Sequence, residues 1–254
     1  MMRSETITQI LNLYKDSEII ARTDIKELYT SHYNSGDNST LDSRINKMIY
    51  RLKNKGVLTS LKSGFYQIEP KKTYLPPIDR YQQKLNQIFK KHYPDLSYSV
   101  WATQSLQQFM NLQPLKNFYI FETEKDIIDS VFYLFRENKI NAFINPSRDI
   151  MEKYVANCRN AVIIKPLISR SPLNEVQAIN TPRLEKVLVD IFYETDVFYS
   201  YQGAELINIF ENAFRVYHID YSRLLNYADR RKLKSKISIF LKDKIANTNL
   251  NLLP

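Results

Sequence analysis

The amino-acid sequence predicts an α/β protein in two parts: an N-terminal winged helix-turn-helix, then an α/β domain with a short, mainly parallel sheet and a helical C-terminus. Three observations lead there. Apolar residues recur at helical spacing three times before Gly56, and two short β-like runs follow around Gly64. Between residues 81 and 166, four runs rich in β-branched and aromatic residues alternate with helical patterns. After Pro172 the pattern is purely helical.

Ile7, Ile10, Leu11 and Tyr14 mark a first helix, with Ser4 or Thr6 as candidate caps. Thr23 is a candidate cap for a second, carrying Ile25, Leu28 and Tyr29. After the turn-rich HYNSGDNS, a third helix places Leu41, Ile45, Met48, Ile49 and Leu52 on one narrow apolar face, with Gly56 as its C′ residue. Val57–Leu61 and Phe65–Ile68 then form a hairpin. Helix, helix, loop, helix, hairpin is the order of a winged helix. The proline- and lysine-rich EPKKTYLPPID continues neither helix nor strand. The expected division is therefore a winged helix at 1–70, a linker at 71–80 and an α/β domain at 81–254. In that domain, strands are expected at 98–103, 117–123, 141–145 and 160–166. Helices are expected at 81–93, 103–112, 125–138, 182–193, 203–216, 220–229 and 231–243.

Charge points to a partner. The chain of 254 residues carries a net charge of +9 with a pI near 9.3, which favours a polyanion. Between Ser43 and Ile68 there are six Lys or Arg and no Asp or Glu. At 100° per residue, the third helix turns Ser43, Asn46, Lys47 and Tyr50 away from its apolar face, with Arg44 and Arg51 on the flank and Lys53 towards the other edge. Such side chains read base edges and hold phosphates when a helix enters the major groove of double-stranded DNA. Lys62 at the wing tip and Arg22 are further phosphate candidates. A second basic surface is expected at Arg230, Arg231, Lys232, Lys234 and Lys236, within a segment from 229 to 244 that holds seven cations against two acids, net +5.

The same composition argues against several chemistries. Only four glycines occur, and Gly203 is the sole one after residue 64, so a glycine-rich phosphate loop is not expected. One cysteine, Cys158, and three histidines leave little for a zinc site or a disulfide framework. No catalytic residue, cofactor or metal is expected. No signal peptide or apolar span of membrane length is apparent, which places the chain in the cytoplasm with no membrane partner. Glu122 and Glu124, which end a strand before Lys125, suggest the rival reading of a restriction-type, metal-dependent nuclease, although the usual Glu-x-Lys spacing is missing. A pure protein-interaction module is the third reading. The aromatic cluster at Phe192, Tyr193, Phe198, Tyr199 and Tyr201 carries Glu194 and Asp196, and so reads as packing rather than a base-stacking platform.

The order of parts, together with Glu185-Lys186-Val187-Leu188-Val189-Asp190, resembles the AbiEi family, the antitoxins of type IV (abortive-infection) toxin–antitoxin systems. The family's helix commonly reads Glu-Arg-Thr-Leu-Leu-Asp after a Ser/Thr-Pro pair. Here Lys186 replaces Arg, Val187 replaces Thr, and Thr181-Pro182 sits two residues further upstream. Lys186 and Asp190 retain the i,i+4 spacing of an ion pair. The resemblance implies a bacterial transcriptional autorepressor whose winged helix binds operator repeats. Its second domain would oppose a nucleotidyltransferase-like toxin, functionally or by contact.

Overall fold

The computed structural model describes residues 19–32, 38–54, 58–68, 72–112, 114 and 116–245. The expected first helix, Gly56 and the start of the linker lie outside the described residues. The chain divides into two compact units. One comprises 1–73 with 215–218 and 241–254; the other comprises 74–214 with 219–240. The sequence reading drew a single boundary and did not foresee the two later segments that group with the N-terminal unit.

In the first unit, β1 (Ile19–Ala21) leads into α1 (Arg22–His32) and α2 (Asn38–Asn54), followed by β2 (Leu58–Lys62) and β3 (Phe65–Ile68). The strands form an antiparallel sheet in the order β1-β3-β2. The three-residue β1 went unforeseen because only its pairing with β3 defines it. Thr23 is not the cap of α1: it lies inside the first turn, and Asp24 reaches back to accept the Ala21 N–H at 3.0 Å. Gly64 adopts φ 77° in the tight turn, and its carbonyl accepts the Arg22 N–H. Leu41, Ile45, Met48, Ile49 and Leu52 of α2 are buried with Ile20, Ile25, Tyr29, Leu58 and Tyr66. That packing directs the polar side of α2 outward.

The second unit is a mixed α/β layer structure. Strands β4 (Tyr98–Ala102), β5 (Tyr119–Thr123), β6 (Ala142–Ile144) and β7 (Val162–Pro166) form one sheet in the order β4-β5-β7-β6. β4 runs antiparallel to β5, and the other two pairings are parallel. On one face, Tyr98, Val100, Phe121, Val162 and Ile164 pack with Leu85 and Phe89 of α3 (Arg80–His92) and with Val131 and Phe135 of α4 (Ile128–Glu137). Asp79 starts α3 with a capping box to Gln82. Asp79 also accepts the Tyr119 hydroxyl at 2.7 Å. The expected helix at 103–112 is a 3-10 segment, Thr103–Phe109. Beyond β6 comes the short α5 (Arg148–Lys153).

The segment after Pro172 is not purely helical. Leu173–Val176 (β8) and Ile179–Pro182 (β9) form an antiparallel hairpin. Its two-residue turn, Gln177 and Ala178, has φ of 52° and 59°. Such turns favour Asn-Gly, and without a glycine there is no local signal for a hairpin. Helices α6 (Leu184–Tyr193), α7 (Ala204–Val216), α8 (Tyr221–Arg230) and α9 (Lys234–Phe240) follow, and a π-helical segment at Leu241–Ile245 groups with the first unit. Of the aromatic cluster, Phe198 and Tyr201 are buried, Phe192 and Tyr199 are half-buried and Tyr193 is exposed; Phe198 stacks on Trp101 of β4. Among the described residues no helix is long and apolar enough to cross a membrane.

Candidate nucleic-acid interface and a buried ionic cluster

Because α2 buries one stripe, its opposite side is presented to solvent. Ser43, Arg44, Asn46, Lys47, Tyr50 and Arg51 are all exposed, and Tyr50 shows 67% of its surface. Lys53 is half-buried. Lys62 lies on β2, but its side chain is outside the described residues. Arg22 reaches the same patch from α1, donating to Asp42 and to the Asn46 Oδ1, each at 3.2 Å. Lys26 also pairs with Asp42, at 3.5 Å. Asp42, just outside the acid-free stretch, thus neutralises part of the charge ascribed to Arg22, and Arg22 orients Asn46. These are surface pairs that contribute little to stability.

The second basic surface needs one correction. Arg230, Lys232, Lys234 and Lys236 are exposed, but the Arg231 side chain is only 6% exposed. Its guanidinium pairs with Asp190 at 2.8 Å and Glu194 at 3.0 Å, and Nε donates to the Tyr227 hydroxyl at 3.2 Å. A run of cations says nothing about which member turns inward; that depends on acids brought in from α6.

Those acids belong to an ionic cluster on the other face of the sheet. Glu122 of β5 and Lys165 of β7 are neighbours in the parallel register. Above them, Lys186, Asp190 and Glu194 follow at i, i+4 and i+8 along α6 and its end. The fully buried Lys186 Nζ lies 2.6 and 2.7 Å from the two Glu122 oxygens and 2.5 Å from Asp190 Oδ2. Asp190 Oδ1 accepts the Tyr227 hydroxyl at 2.8 Å, and Lys165 pairs with Glu194 at 2.6 Å. Three carboxylates meet three cations, so the cluster is neutral. Neighbouring Glu185 accepts the Asp220 N–H and an Arg223 Nη1 proton, both at 2.9 Å, fastening α6 to the capped start of α8. The charged residues of the 185–190 helix thus hold β5, α6 and α8 together.

This geometry bears on the nuclease reading, because both Glu122 oxygens already face Lys186 and the residue is 1% exposed. Burial pushes the Glu122 carboxyl up, against the pull of Lys186. Burial alone would lower the Lys186 ammonium, but Asp190 and Glu122 outweigh it and hold it above its ordinary value. Burial and then Asp190 raise the Tyr227 phenol. Among the described residues no group of His, Cys, Asp and Glu is arranged to hold a metal ion.

A titration follows from these shifts. Lys186 and Tyr227 keep protons in the folded chain that the unfolded chain releases near pH 10.5 and 10.0. Their stabilisation is complete below pH 10 and is lost as pH rises toward the raised values. The urea midpoint should therefore fall between pH 9 and 11, and Tyr227→Phe should make that fall shallower. Identical slopes in the two proteins would contradict the assignment.

No curated protein matches the sequence. Residues 44–247, which take in α2 from Arg44 onward and the whole ionic cluster, match the profile of DUF6577, a family of unknown function, and the chain belongs to that family.

Proposed function

We propose that the protein is a duplex-DNA-binding transcriptional repressor of the AbiEi antitoxin type, acting in the bacterial cytoplasm without catalysis of its own. The observation that carries this reading is the solvent-facing side of α2 from Ser43 to Arg51, with Ser43, Asn46 and Tyr50 among Arg44, Lys47 and Arg51 and no acid in that stretch. Residues 19–68 read as a winged helix, with α1 and α2 as the helix pair and β2–β3 as the wing. Ser43, Asn46, Lys47 and Tyr50 meet base edges, while Arg44, Arg51, Lys53 and Lys62 hold phosphates. Arg22 braces Asn46 and adds charge. The second unit opposes a nucleotidyltransferase-like toxin, functionally or by contact, and the Glu185–Asp190 helix is the part of it that resembles the family.

The test is the affinity of the full chain for duplex DNA as a function of salt. Log affinity should fall linearly with log salt, and Lys47→Ala and Arg51→Ala should each reduce the slope by about one. Unchanged slopes in both variants would remove the two residues from the contact set. No salt-sensitive binding to any duplex, or Mg²⁺-dependent cleavage of it, would overturn the reading.

A further inference from the structure

A cleft of about 440 Å³ opens in the second unit at the amino ends of β5 and β7, the opposite end of those strands from Glu122 and Lys165. Its size is that of a site for a small organic ligand. Lys116 and Arg159 stand exposed at its rim, and the amides of Gln104, Asn117 and Asn160 and the Cys158 thiol line it. None of the lining residues is an acid, and neither cation is ion-paired among the described residues. Asn160, at φ 53°, turns the chain between Arg159 and β7.

Two cations with no ion pair among the described residues, beside three residues with amide side chains and no acid, form an arrangement complementary to an oxyanion. We infer that this cleft binds the phosphate group of a small phosphorylated molecule. Arg159 offers two parallel N–H donors to the phosphate oxygens, and Lys116 adds a point charge. The amides take the polar remainder of the ligand. The site is separate from the α2 face and does not depend on the DNA-binding reading.

The chain's single cysteine makes the cleft its own reporter, because alkylation by neutral iodoacetamide can occur only at Cys158. In the full-length protein, millimolar AMP should slow that alkylation, while adenosine at the same concentration should not. Equal protection by inorganic phosphate would identify the phosphate itself as the ligand; protection by AMP alone would show that the organic part is also held. Lys116→Ala and Arg159→Ala should each raise the AMP concentration for half-protection about tenfold. Both should leave the urea midpoint unchanged, and protection in each variant is read against that variant's own rate without ligand. Calorimetric titration with AMP should give the same ranking independently of the thiol. Absence of binding by both anions, equal protection by adenosine, or protection indifferent to both variants would overturn the inference.

Discussion

Lys186→Ala should destabilise the protein by about 3–5 kcal/mol, because it leaves Glu122 facing Asp190 in the interior with no cation between them. For a chain of this size the thermal midpoint should drop by roughly 10 °C. The informative comparison is the double variant Lys186→Met with Glu122→Leu. It removes one charge of each sign and leaves Asp190 with Arg231 and Tyr227, and Glu194 with Arg231 and Lys165. Replacing a complete buried pair with apolar groups of similar size is often neutral. The double variant should therefore recover most of what the single one loses, as read from urea unfolding. A double variant no more stable than Lys186→Ala would show that the pair itself, rather than the stranded carboxylates, governs stability.

The second large effect concerns α2. Lys47→Glu combined with Arg51→Glu should weaken duplex binding by at least about a hundredfold at moderate salt, since two favourable contacts become two repulsive ones. Both residues lie on the exposed side of the helix, so the thermal midpoint should change little. Tyr50→Ala should retain most of the salt dependence while losing affinity, because a ring contributes contact rather than charge. Full binding by the double reversal would exclude this face as the interface.

The patterned parts of the fold were legible in the sequence. The apolar stripe of α2 is buried at every position named for it, and the four strands of the larger sheet fall within the expected segments. Both follow from strong local periodicity. The β8–β9 hairpin was not legible, because its left-handed turn is built from Gln177 and Ala178 rather than glycine. For the candidate interface, which side of α2 faces outward was readable, but the Asp42–Arg22–Asn46 contacts were not, since they require α1 and α2 to be packed. Only one pair of the ionic cluster, Lys186 with Asp190, had a sequence signal. Glu122 with Lys165 depends on strand register, and Arg231 with Glu194 on the meeting of two helices.

The segment 215–218 groups with the N-terminal unit, and the Lys72 carbonyl accepts the His218 N–H at 3.0 Å. During translation, therefore, Lys72 gains this backbone partner only when a stretch synthesised some hundred and forty residues later has emerged. A gene fragment cut after Thr73 encodes the cationic helix but neither 215–218 nor 241–254, so nascent chains acquire the whole unit only once those later segments have left the ribosome.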